Sequence, residues 1–378
     1  MQVLLALGSL AVAVLGAEFV ATFYLRSLES RDLAVFEAVA PDAGRDVLGV
    51  KSGYSQEWKA SEFDVEVATN ASGFREPFDF ELGDVDVAFV GDSFTFGHGV
   101  DVGQRYSDVF GSFFPGERVA ALSFKNGFAP PHYLFFFENH PELRPTQVVL
   151  GLFLGNDLES DIEETELHYD GSGKIASLGL FAREVSPGGS LINAIGSYRA
   201  FFDWLRRSSH LGKLIVRALN QSSFRPLLFS NQLGFTPNAP NSRSLEFGEL
   251  HELALESLAA IEGLDQLVRE RGGSLLVFFI PESFYVGIYP SNHWNHRDPA
   301  RRLTRGEHIA LRDRLPLNKR LLRWCAERSV ACLDSTSPLR RIQESGRKLY
   351  FTKDGHWTPQ GHRAAAILLR NYRRERMQ

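Results

Sequence analysis

Apolar residues come in short uninterrupted blocks along this chain, and each block stops abruptly at polar or turn-forming residues. DVDVAFVGD (84–92), GERVAALSF (116–124), TQVVLGLFLGND (146–157), GGSLLVFFIP (272–281) and VACLD (330–334) are the five clearest. A continuous apolar run of that length reads as a strand buried on both faces, as in a parallel sheet. The segments between them carry apolar residues every three or four positions and predict helices. They are QRYSDVFGSFF, PHYLFFFENHPEL, FGELHELALESLAAIEGLDQLVRER (247–271), NKRLLRWCAERS and the closing TPQGHRAAAILLRNYRRER. Strands alternating with helices predict βαβ units around a parallel sheet.

The alternation is absent in three places. Residues 1–25 open with VLLALGSLAVAVLGA (3–17), followed by Glu18 and FVATFYL. Taken whole, the stretch is long enough to span a bilayer as an anchor. Taken only to Ala17, it has the length of a signal-peptide core with a small-residue cleavage site. No Lys or Arg precedes it, whereas Arg26 and Arg31 follow, so loop charge gives no support for an exported C-terminal part. Residues 26–84 form a mixed, charged lead-in. Residues 158 to about 245 begin acidic (LESDIEETE), turn Gly- and Ser-rich, then aromatic and basic. This reads as an insertion in a catalytic domain spanning 85–378, and its length suggests a lid or an acceptor-binding element.

Composition narrows the function classes. With 44% hydrophobic residues the chain is globular, and a formal charge of −5 gives no electrostatic case for nucleic acid. The arginine cluster RNYRRER (370–376) reads as the solvated face of the last helix. Two cysteines, Cys325 and Cys332, make neither a disulfide framework nor a four-cysteine metal site; two buried apolar thiols are expected. His293 and His296 in HWNHRD lack a third ligand and read as surface polar residues. No metal and no organic cofactor is implied.

Chemistry-bearing groups gather where strands end. In open parallel sheets, ligands bind beyond the carboxyl ends of the strands. GDS follows Val90, NGF (126–128) comes just beyond the strand ending at Phe124, GND follows Leu154, and KDGHW (353–357) precedes the last helix. A serine hydroxyl becomes a nucleophile when a base takes its proton, and that base needs a third group to fix its tautomer. Asp354 can orient His356 through Nδ1 and leave Nε2 for Ser93. Donors for a developing oxyanion would be the backbone N–H of Ser93, that of Gly127 and the side-chain amide of Asn156. Each also has an ordinary reading: DGH as a polar turn before a helix, Gly127 as a turn before Pro130-Pro131, Asn156 as a strand-end turn. His98 either lines the pocket or serves the turn, and Asp92 and Asp157 are read as loop-holding residues.

Taken together, GDSFTFG (91–97), NGFAP (126–130), GNDLESD (155–161) and DGHW (354–357) resemble, in this order, the four blocks of the SGNH (GDSL) hydrolases. The resemblance covers 85–157 and 272–370. It implies a three-layer α/β/α, flavodoxin-like fold with a five-stranded parallel sheet. It also implies a serine esterase with nucleophile Ser93, base His356, and oxyanion groups Gly127 and Asn156. The expected substrate is an acylated, for instance acetylated, small molecule or glycan. The alternatives are an O-acyltransferase acting on extracytoplasmic polysaccharide and a non-catalytic glycan-binding module. Membrane attachment through 1–25, with an extracytoplasmic catalytic domain, is expected from relatives with a similar apolar segment. Two departures stand out. The family's usual aspartate position, three before the histidine, is Lys353, and NGFAP replaces the more common Gly-Tyr-Gly.

Overall fold

A computed structural model describes residues 52–60, 62–123, 128–158, 171, 254–287, 315, 317–352 and 354–376, and the backbone alone at 36–37, 49–50, 165–169, 175–180, 252–253, 316 and 377. These residues fall in one compact unit, which also takes in the described part of the lead-in. The apolar segment 1–25, most of the insertion and the pair His293 and His296 lie outside the described residues. Among the described residues no helix is long and apolar enough to cross a membrane.

The five apolar runs form one sheet: β1 (Val87–Gly91), β2 (Val119–Ser123), β3 (Gln147–Phe153), β4 (Ser274–Ile280) and β5 (Ala331–Asp334). The order across the sheet is β2-β1-β3-β4-β5. Every pairing is parallel. Strand β1 is buried along its whole length, which is why its sequence shows no alternation.

Helices cover both faces. On one, α1 (Ser93–Phe96) and α2 (Tyr106–Gly111) pack with the closing helix, so that Val87, Phe89, Phe278 and Ile280 share a core with Phe94, Tyr106, Phe110, Trp357 and Leu369. On the other, α3 (Pro130–Asn139) packs on β1 and α4 (Glu252–Glu270) on β4. Helix α5 (Pro316–Arg328) leads into β5, followed by α6 (Thr336–Glu344) and the closing helix α7 (Pro359–Met377). The result is a three-layer α/β/α fold with a flavodoxin-like strand order. The order reverses between β1 and β3, where such sheets place their ligands.

Three features depart from the sequence reading. The lead-in contains an antiparallel hairpin, Ser55–Lys59 with Asp64–Ala68. Its period of two is real, with Trp58, Val65 and Val67 buried, but charges fill the other face and mask it. Helix α6 had no counterpart among the predicted helices, because only Thr336 and Leu339 of its nine residues are buried. Cys325 and Cys332, expected as separate thiols, form a disulfide. Ser329 adopts a left-handed conformation (φ 56°) that reverses the chain between α5 and β5, bringing the two Cα atoms to 6.2 Å. Within the insertion, Thr165–Tyr169 and Ile175–Leu180 pair as a further hairpin.

The lead-in is fastened to the sheet by buried charge. The Arg75 guanidinium donates to the carbonyls of Phe96 (3.1 Å), Gly97 (2.7 Å), Val100 (2.8 Å) and Glu66 (2.9 Å). Burial, then the neighbouring Arg105, pulls the Arg75 pKa down to about 9, so it stays charged at neutral pH. Arg105 donates to Glu76 (3.0 Å) and through two nitrogens to Asp108 (2.7 Å each). Glu76 accepts in addition from the backbone of Ala121 in β2 (2.7 Å). Replacing Arg75 by Met would remove the guanidinium from four carbonyls, of which Gly97's keeps the Val100 N–H (3.2 Å), and an unsatisfied buried polar group costs about 1–3 kcal/mol. We expect R75M to lose about 3 kcal/mol or more of stability, read as a fall in the urea unfolding midpoint.

Candidate active site

Strand β1 ends at Gly91, whose φ of 156° and surroundings exclude a side chain. A Cβ there would collide with the Thr95 hydroxyl and lie 2.8 Å from the Gly151 carbonyl. The chain turns at once into α1. The Asp92 side chain caps it by accepting from the Phe94 N–H (3.0 Å), and Gly97 (φ 79°) closes it in the left-handed conformation. Ser93 is thereby held on a one-turn helix at the carboxyl end of β1. The register aligns Gly91 with Gly151 of β3, so the turn after β3 that carries Asn156 emerges on the neighbouring strand. In that turn Asp157 accepts from the Phe153 N–H at 2.7 Å.

His356 comes from the other end of the chain. Its loop is closed by pairing of Tyr350 with Trp357 and by the Phe351 N–H donating to the His356 carbonyl (2.8 Å). Trp357 is fully buried against Phe94 and Tyr106, which pins the loop's exit. Gly355 (φ 91°) supplies the reversal that places Asp354 beside the imidazole of His356.

These placements bring Ser93, His356 and Asp354 together. Ser93 Oγ is 2.7 Å from His356 Nε2, and His356 Nδ1 is 2.7 Å from Asp354 Oδ1. An ionised carboxylate only accepts, so Nδ1 carries the proton and Nε2 offers its lone pair to the serine hydroxyl. Burial opposes ionisation of Asp354, but hydrogen bonds from His356 and then His98 outweigh it and hold this carboxyl well below the usual range. Ser93 is 7% exposed and the His356 side chain 15%, so the pair is sheltered yet reachable. By contrast, His132 and His362 are buried and held neutral, with burial pulling them to about 4 and about 3. His362 accepts from the Tyr106 N–H (3.2 Å), a structural task.

Gly127 lies outside the described residues, and Asn156 sits in the turn after β3. Sequence reasoning missed Glu62, from the hairpin loop. Its two carboxylate oxygens accept from the backbone N–H groups of Thr352 (2.8 Å) and Asp354 (3.0 Å), bracing the loop from below. Nothing in the charge-rich stretch SEFDVEV marks it out. Donor atoms of His98, Asp354 and His356 lie within 4.8 Å of one another, a spacing that can hold a metal ion. Here it follows from the hydrogen bonds, and His356 Nδ1 carries a proton that a metal would have to displace.

The fold and this cluster define a three-layer α/β/α protein with a Ser-His-Asp constellation at the switch point. No protein-family profile and no curated protein matches the chain. It aligns with a proposed acylhydrolase from Bacteroides fragilis at 13% identity and TM-score 0.34, covering 77% of this chain and 88% of that one. A proposed SGNH hydrolase from Slackia heliotrinireducens aligns at 10% identity and TM-score 0.35, covering 76% and 97%. A carbohydrate acetylesterase family member from Sinorhizobium meliloti aligns at 12% identity and TM-score 0.31, covering 77% and 98%. Likeness at this level adds nothing to the architecture read from the sheet itself.

Asp92 also touches Ser93, whose Oγ lies 3.2 Å from Oδ2. Burial drives its pKa up from 3.8 to about 6, against the opposing hydrogen bond from Phe94. A carboxyl raised on folding contributes stability that is full below pH 3.8 and lost as the pH rises through about 6. Asp92→Asn keeps the cap without the charge. Its melting temperature should therefore gain on the wild type as the pH rises across that window and keep a constant lead above it. A difference that does not change with pH would refute the buried-charge account.

Proposed function

We propose that the protein is a serine ester hydrolase acting through an acyl-serine intermediate. The observation that carries the reading is the continuous hydrogen-bonded line from Ser93 Oγ through His356 to Asp354, at 2.7 Å per step. Ser93 Oγ adds to the ester carbonyl as its proton passes to Nε2. Asp354 stabilises the imidazolium without taking the proton. The tetrahedral adduct collapses, and the departing alkoxide takes that proton from Nε2. Water, deprotonated by the same nitrogen, then releases the acid and restores the hydroxyl. The donors proposed for the oxyanion are the Ser93 N–H, Gly127 and the Asn156 amide.

The substrate class proposed is an acylated, in the first instance acetylated, small molecule or glycan. Turnover of 4-nitrophenyl acetate should fall at least about 1,000-fold in Ser93→Ala and in His356→Ala, and about 100-fold or more in Asp354→Asn. Activity surviving Ser93→Ala would sink the reading.

We further propose that residues 1–25 attach the protein to a membrane and that the catalytic unit works outside the cytoplasm. The Cys325–Cys332 disulfide supports the second point, since such bonds are rare where thiols are kept reduced. A C-terminal alkaline phosphatase fusion, which needs an oxidising compartment, should be active in cells. Silence of that fusion beside an active cytoplasmic reporter at the same position would reverse the topology.

A further inference from the structure

The sequence context of His98 allows two ordinary roles, lining the pocket or serving the turn, and the structure gives it a third. Its backbone N–H donates to the Ser93 carbonyl (3.0 Å), so it rides on the same turn as the nucleophile. Its ring stands between Phe63 (centroids 5.2 Å apart, edge-on), Trp58 (5.8 Å) and His356 (4.5 Å). Nε2 reaches to 3.3 Å from Asp354 Oδ2. Among the titratable groups it faces are Asp354 and His356.

The two carboxylate oxygens of Asp354 thus divide their duties. Oδ1 accepts from both the ring Nδ1 (2.7 Å) and the backbone N–H (3.2 Å) of His356. His98 Nε2, 3.3 Å from Oδ2, is the group within reach to donate to it. An aspartate only two residues before the base, on a loop that reverses at Gly355, needs its carboxylate fixed against rotation if one oxygen is to stay on Nδ1. Donors on one oxygen alone leave the other free to swing; a donor on the second oxygen fixes the carboxylate plane.

We infer that His98 is a positioning residue of the catalytic centre, acting through Asp354 so that the line of hydrogen bonds has four members: Ser93, His356, Asp354 and His98. The inference rests on the serine-hydrolase reading. It also gives the unusual Asp-Gly-His spacing a physical counterpart, since the carboxylate in this shifted position is steadied by a ring delivered from the nucleophile's own turn. The hairpin shares in this, because Trp58 and Phe63 hold the ring in place. Phe in place of His98 would keep that aromatic packing and lose only the donor.

The test is a double-mutant cycle on the full chain, with melting temperatures recorded for every variant. His98→Phe and His98→Gln are made in the wild type and in the Asp354→Asn background. Each protein is assayed for ester turnover and, by mass spectrometry, for the rate at which a fluorophosphonate modifies Ser93. His98→Phe should lower kcat about 10-fold, the low end of what outer partners of an active-site ligand contribute, with KM little changed. His98→Gln, whose amide can donate to Oδ2, should recover most of that loss. In the Asp354→Asn background neither change should cost more, because the group His98 acts through is already altered. An equal loss in both backgrounds, or none in the wild type, overturns the inference and leaves His98 a packing residue. If His98→Phe does not fold, His98→Ala takes its place in the cycle. Should the wild type hydrolyse no ester, the hydrolase reading fails on its own, while the labelling rates still decide the role of His98. Wild-type labelling no faster than that of Asp354→Asn would overturn both.

Discussion

One proton has to be shared between two atoms that the chain separates by 263 residues and the fold brings to 2.7 Å. A hydroxyl and an imidazole at that distance form a useful pair only if neither can drift, because a displacement of an ångström in a reacting group can cost a hundredfold in rate. The architecture supplies the rigidity from two directions. On the serine side, strand β1 is buried throughout, and Gly91 and Gly97 allow a turn too tight for any residue with a side chain. On the histidine side, Trp357 is sunk into the core beside the very helix turn that carries Ser93. Both partners are thus referred to one rigid body instead of to two loops.

The segment before the sheet belongs to that body. Arg75 gathers the carbonyls that follow the nucleophile, Glu62 gathers the amides that precede the base, and Trp58 and Phe63 flank the ring of His98. A short hairpin that looks peripheral in the strand order therefore touches both halves of the triad. Glu62 in its loop and Arg75 just beyond it do what charged groups seldom do on a surface. They are buried or half-buried, and they satisfy backbone groups at turns that no ladder could pair.

How much of this was legible depended on what kind of force placed each residue. Strands β1, β3 and β4 were readable because a sheet buried on both faces demands apolar residues at every position, and the polar residues at their ends marked the site. The order of Ser93 before Asp354 and His356 was readable from the blocks that carry them. Glu62 and Arg75 were not, because a carboxylate or guanidinium that binds backbone looks in sequence like one that binds water. The disulfide was hidden for a different reason, since it depends on a left-handed Ser329 that reverses the chain, and no residue type announces that. His98 fell between the cases. Its place five residues after the serine was visible, but its partner is fixed only by tertiary structure.

The order of the parts along the chain has a consequence for biosynthesis. Ser93 follows the first strand of the sheet, whereas Asp354 and His356 follow the fifth. A chain made from its N-terminus therefore displays the serine while the sheet is still incomplete, at a stage when nothing is present to deprotonate it. On the reading proposed above, Ser93 gains its base only once the segment after β5 is in place, where Trp357 seats His356 beside Phe94. Until then the chemistry proposed for this site has no base, and assembly of the last layer would be what switches it on.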